Sequence, residues 1–81
     1  MDKKELREIL ENTETCMEMH KNDFYLLGYF VIINDIITLR EVMSIRIIES
    51  EETGTIVWFG KTSMKLENLE KLHICDAKSF I

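Results

Sequence analysis

The stretch FYLLGYFVII, residues 24–33, decides the fold. Apolar, aromatic and β-branched residues surround Gly28, and no polar face is left along the run. Such a segment reads as a strand covered on both faces, and so as a central strand of a sheet. Ten residues are about half of what a membrane span needs, so the run is not read as one. Gly28 marks a bend or bulge. Asn34-Asp35 follows at once, between Ile33 and Ile36. Asn and Asp tolerate positive φ angles, so the pair predicts a two-residue hairpin turn.

Beyond that turn, residues 36–49 alternate with a period of two. Ile37, Leu39, Met43, Ile45 and Ile47 point one way; Thr38, Arg40, Ser44 and Arg46 point the other. This is a strand with one face on a core. Glu41 interrupts the apolar side, as a bulge or short helical turn would, and Asp35 could instead cap a helix over 36–43. SEETG at 50–54 reads as a hairpin tip, and TIVWF at 55–59 as the returning strand. After Gly60, Thr62 or Ser63 can cap a short C-terminal helix that turns Leu66, Leu69 and Leu72 or His73 inward. A last edge strand through His73, Cys75 and Ala77 is the remaining element.

Toward the N-terminus, Leu6, Ile9, Leu10, Thr13, Cys16, Met17 and His20 follow three-four spacing, which predicts an amphipathic helix over 2–20. Asp2 caps it, with Glu5 three places on. Lys21-Asn22-Asp23 ends it. The expected fold class is α+β: an N-terminal amphipathic helix packed on a three- to four-stranded antiparallel sheet, with a short C-terminal helix, all in one domain over 1–81.

The chain has 81 residues, 15 acidic and 10 basic, for a net charge of −5, and no proline. A domain of this length buries about 60–65% of its unfolded surface, so its core is small. The acidic balance opposes binding to phosphate backbones and anionic membranes, and it permits contact with a basic protein surface. Met1-Asp2-Lys3-Lys4-Glu5 has none of the apolar character of a secretion signal. With Cys16 and Cys75 as the only cysteines, the expectation is a reduced, cytoplasmic protein with free thiols.

Candidate chemistry is sparse. Gly60-Lys61-Thr62-Ser63 matches the end of a phosphate-binding loop, but that loop needs a glycine where Thr55 stands, so the stretch reads as a turn. Cys16 and His20 stand four apart and His73 and Cys75 two apart; together they would satisfy tetrahedral zinc if folding brought the pairs together. Their spacing fits no familiar zinc module, so no metal or other cofactor is expected. No motif places a base beside Ser44, Ser50, Ser63, Cys16 or Cys75, and the chain is read as a non-enzyme.

Glu8, Glu11, Glu14 and Glu18 spread along the expected helix, and Glu49, Glu51 and Glu52 crowd the hairpin tip. Carboxylates so spaced can occupy an arginine- and lysine-lined groove that normally holds nucleic acid. The alternative surface is Thr38, Arg40, Ser44 and Arg46 on the polar strand face, which would bind RNA or single-stranded DNA if Tyr25, Tyr29 or Trp58 shared it. The excess of apolar strand residues also predicts a homodimer, as in a structural subunit of an assembly. In size, acidity and lack of a catalytic motif the chain resembles small proteins carried by phages and mobile elements, including inhibitors of host nucleases such as anti-CRISPR proteins. That resemblance is one of type. It implies a non-catalytic module acting by occlusion of a partner protein.

Overall fold

A computed structural model describes residues 1–14, 16–37 and 42–76; the side chains of 27–30, 37, 42, 43 and 76 fall outside the description. Its elements are α1 (Lys3–Glu11), β1 (Cys16–His20), β2 (Asp23–Ile33), β3 (Ile36–Ile37), β4 (Val42–Ser50), β5 (Gly54–Phe59), β6 (Thr62–Lys65), a 3-10 turn (Leu66–Asn68) and β7 (Leu72–Asp76). Among the described residues there are thus seven strands and one α-helix. The expected three- to four-stranded sheet and the C-terminal helix are both overturned.

β2 is the central strand, paired along both edges, but the expected cover on both faces fails at Tyr25, which is 49% exposed on the face away from α1. Its first half pairs with β1 on one edge and β4 on the other, and its second half pairs with β7 and β3. Tyr29 pairs with Val42 of β4 and with Asp76 of β7. β7 therefore lies opposite β4, end to end with β1 along one edge of β2. The β2–β4 register shifts between Tyr25 and Tyr29, the interval that contains Gly28. At this point the hydrogen-bonded network divides into two antiparallel parts that share β2. The larger runs β1-β2-β4-β5-β6, and the smaller is β7-β2-β3.

The predicted helix over 2–20 is half right. α1 starts where expected, with the Asp2 carboxylate accepting from the Glu5 N–H at 2.8 Å. It ends at Glu11, capped by Asn12, and Thr13 turns back to donate its hydroxyl to the Ile9 carbonyl. Only Leu6 and Leu10 of the expected stripe are buried in the helix, with Ile9 packed against the core. Cys16, Met17 and His20 belong to β1 instead. The edge of β2 needs backbone partners that a helix cannot supply, and CMEMH alternates as a strand does. Lys21-Asn22 becomes the β1–β2 turn, with Asn22 at φ 63°.

The C-terminal half is corrected for a similar reason. Gly60, at φ 62°, and Lys61 form a tight turn, and Thr62 pairs with Phe59. Thr62 and Ser63 therefore extend a hairpin and do not cap a helix. Leu66, Leu69 and Leu72 are buried as expected, but the 3-10 turn and β7 deliver them; His73 is exposed.

The two other turns hold. Asn34 and Asp35 both have positive φ (51° and 65°), with Ile33 opposite Ile36. Asn34 also clamps the chain beyond the 3-10 turn: its side chain donates to the Asn68 carbonyl and accepts from the N–H groups of Glu70 and Lys71. Gly54, at φ 77°, closes the 50–54 tip opposite Ser50. Thr38, Leu39, Arg40, Glu41 and Ala77 lie outside the described residues, as does the middle of the rival 36–43 helix; its ends, Ile36–Ile37 and Val42 onward, are strand.

One core results. Leu6 and Leu10 of α1 cover Phe24 and Leu26 of β2, Ile45 and Ile47 of β4 and Val57 and Phe59 of β5, while Leu66, Leu69 and Leu72 close one end. Each fully buried side chain of this size contributes about 1.5–3 kcal/mol through the area it removes from water.

Candidate functional site

Strand pairing sorts the side chains of the larger sheet onto two faces. Phe24, Leu26, Ile45, Ile47, Val57 and Phe59 point under α1 and are buried. Their neighbours form the outer face. Arg46 lies opposite Asp23 on one side and Trp58 on the other, and Trp58 lies opposite Ser63. One step along, Tyr25 stands between Met17 and Ser44. One step the other way, Ile48, Ile56 and Lys65 align across β4, β5 and β6.

This face is unusually apolar for one that no element covers among the described residues. Met17 is 63% exposed, Tyr25 49% and Ile48 43%. A half-covered antiparallel sheet ordinarily turns polar residues to water. Arg46 sits at the middle. Its Nε lies 3.6 Å from Asp23 Oδ1, and its side chain is 59% exposed against 17% for Asp23. Among the described residues the terminal nitrogens of its guanidinium make no hydrogen bond. Lys65 contributes a second cation, 4.0 Å from Glu67.

The acidic set is dispersed. Glu8 and Glu11 are on α1, Glu14 follows the helix, and Glu18 is on β1, so the expected row of four along one helix does not exist. Glu11 and Glu18 both converge on Arg7. Arg7 forks onto the two Glu18 oxygens at 2.8 and 3.0 Å, reaches Glu11 at 3.0 Å, and donates to Asn22 Oδ1 at 2.7 Å. Its guanidinium lies 5.2 Å from the Phe24 ring centre. The Arg7 hydrogen bonds, with the Asn22 N–H, hold the Glu18 carboxyl at about 2, and the Glu18 carboxylate, then that of Glu11, raises the Arg7 pKa. Glu49 is ion-paired to Lys3, which lowers its pKa too. Glu8, Glu14, Glu51 and Glu52 are exposed and form no ion pair among the described residues.

The cysteine–histidine set does not assemble. Four residues on a strand, unlike on a helix, separate Cys16 from His20 by about 13 Å. Cys16 pairs with Leu26 and Cys75 with Phe30, four positions along β2. Among the described residues no group of three or more histidine, cysteine or acidic side chains is placed to hold a metal. Both cysteines are free, and burial, then the Glu18 charge, pushes the Cys16 thiol up to about 11. A groove of about 590 Å³ runs between α1 and β7, where Glu5, Glu8 and His73 stand without hydrogen bonds to one another.

No family model, curated protein or solved structure matches this chain. Its site is therefore read from its own geometry. Arg46 and Ser44 of the sequence-predicted nucleic-acid set are on the outer face, while Thr38 and Arg40 lie outside the described residues. Trp58 and Tyr25 do share that face; the Tyr29 side chain is outside the description. The residues that sequence reasoning left out are Met17, Ile48 and Ile56. Their signal was the apolar residue on the polar side of the alternation, as at Ile48 between Ile47 and Glu49. No helix among the described residues is long and apolar enough to cross a membrane.

Proposed function

We propose that this protein is a non-catalytic protein-binding module that engages its partner through the outer sheet face. The observation that carries the reading is the register that sets Trp58 directly across from Arg46, with Tyr25 one step away. Tryptophan, tyrosine and arginine are the residues on which interface energy concentrates, and methionine is enriched beside them. All four meet on this face, together with Ile48 and Ile56. The strand scaffold holds them in fixed register, so little ordering is needed on binding.

The acidic residues play a lesser part in this reading, because Glu11, Glu18 and Glu49 already serve cations of the same chain. Glu8, Glu14, Glu51 and Glu52 would tune the encounter rate with a basic partner and confine salt sensitivity to association. Occlusion of a partner's surface, as an inhibitor would act, is the mode open to a module without a catalytic group. Two free thiols suit a reducing cytoplasm.

A second reading, single-stranded nucleic acid stacked on Tyr25 and Trp58, is favoured by the same co-facial aromatics. Among the described residues only Arg46 and Lys65 are cationic there, against a net charge of −5. The test is affinity capture from a lysate of the source cells, run in parallel with wild type, Trp58→Ala, and Glu51→Gln/Glu52→Gln. A protein retained by wild type and by the double glutamine variant but released by Trp58→Ala supports the reading. Equal retention by wild type and Trp58→Ala overturns it.

A further inference from the structure

We propose that the outer face recognises a partner segment in which a carboxylate lies next to apolar side chains, with the Arg46 guanidinium taking the carboxylate in a two-pronged hydrogen bond between Trp58 and Tyr25. The inference rests on the protein-binding reading above and adds the chemistry of the partner.

The first argument is the state of Arg46. Asp23 approaches only its Nε, at 3.6 Å, and is itself largely covered. The terminal nitrogens are free of hydrogen bonds among the described residues, on a side chain more than half exposed. An arginine guanidinium is planar and presents parallel N–H donors that match the two oxygens of a carboxylate. Trp58, across the strand pair, supplies an aromatic surface that keeps water from the pair once it forms.

The second argument is charge complementarity. Among the described residues Arg46 and Lys65 are the cations of the outer face, each beside one carboxylate of the same chain, Asp23 and Glu67, while the exposed glutamates without ion pairs belong to α1, the segment after it, the hairpin tip and the segment before β7. The carboxylates without a cation therefore belong to segments other than the outer face of the described strands.

The third argument separates a peptide from nucleic acid. A phosphate backbone brings a charge with every nucleotide against a chain of net charge −5, and the two cations on this face among the described residues do not offset that. A peptide brings one or two carboxylates and also side chains able to cover Met17, Ile48 and Ile56. Those three apolar residues have no counterpart in a sugar–phosphate strand.

Trp58 is the sole tryptophan, so its fluorescence reads this face directly. The probe is a set of acetylated, amidated octapeptides, each placing one Asp or Glu beside Leu or Phe, titrated against matched peptides with Asn or Gln. A 12-nucleotide single-stranded DNA and RNA of mixed sequence are titrated alongside. The expected result is that the best carboxylate peptides shift Trp58 emission, bind about tenfold or more tighter than their amide twins, and lose that preference in Arg46→Gln. Arg46→Lys keeps the charge but not the fork and loses most of the preference. Circular dichroism of both variants checks that the sheet is intact, since Arg46 is exposed. Equal binding of carboxylate and amide peptides overturns the inference while leaving the protein-binding reading in place. Preferential binding of either oligonucleotide overturns both. Absence of any Arg46-dependent emission change overturns the inference, and the lysate capture then decides the broader reading separately.

Discussion

Phe24 and Tyr25 are neighbours on one strand, as are Ile47 and Ile48, and in each pair one residue is in the core and the other is in water. Phe24 is 1% exposed and Tyr25 49%; Ile47 is 5% exposed and Ile48 43%. The two faces of this sheet are built from residues of similar hydrophobicity, and what separates them is α1, which lies over only one of them. The inner face is a closed core whose members gain by leaving water. The outer face carries an aromatic and arginine cluster whose apolar area gains nothing until something else covers it. The comparison shows that burial in this chain follows from which side the helix takes, and that the residues left over on the other side are not those of an ordinary solvated surface.

The largest test of that contrast is truncation of adjacent residues. Phe24→Ala should lower unfolding free energy by about 3–5 kcal/mol, because it leaves a cavity under α1. Tyr25→Ala should cost about 1 kcal/mol or less, the scale of strand propensity at an exposed position. Urea denaturation followed by circular dichroism measures both. Similar losses for the two would mean that the outer face is also packed.

Arg7→Ala comes next. It removes the fork onto Glu18, the contact with Glu11, the bond to Asn22 and the cover over Phe24 at once. A loss of about 1–2 kcal/mol in the same denaturation assay is expected, larger than for any single exposed ion pair.

The acid limb of stability sharpens the picture of how the inner face is fastened at its rim. Glu18 titrates at about 2 in the fold, below its ordinary 4.5, mainly through the Arg7 hydrogen bonds. A carboxyl with a depressed folded pKa contributes stability that is complete above its unfolded pKa and fades as pH falls toward the folded one. Thermal melts between pH 5 and pH 2 should therefore show Tm falling with acidity, with a shallower slope in Glu18→Gln. An unchanged slope would mean that the Arg7–Glu18 pair does not persist in solution.

The smallest effect is expected at the hairpin tip. Glu51→Gln/Glu52→Gln should change stability by no more than about 0.5 kcal/mol, since neither side chain has a partner among the described residues. It should also leave the Trp58-dependent capture unchanged. A Tm shift of several degrees would show the tip to be tied to the rest of the fold.

What could be read directly from the chain was local. FYLLGYFVII read as a central strand from its apolar, β-branched composition, and it pairs along both edges, although its Tyr25 is left exposed. Asn34-Asp35 read as a turn of positive φ, with a helix cap at Asp35 as its rival, and the alternation through Ile45 and Ile47 named the core face of β4. Capping by Asp2 and the burial of Leu66, Leu69 and Leu72 were also legible. Each depends on side-chain chemistry within a few residues. The outcomes at 12–20 and 62–73 were decided by distant partners. CMEMH and TSMK carry weak patterns compatible with helix or strand, and the open backbone edges of β2 and β5 drew them into the sheet. The same holds for the site. Tryptophan, tyrosine and arginine are plain in the sequence, but their meeting on one face depends on the register of β2, β4 and β5, which long-range hydrogen bonding selects and local sequence does not encode.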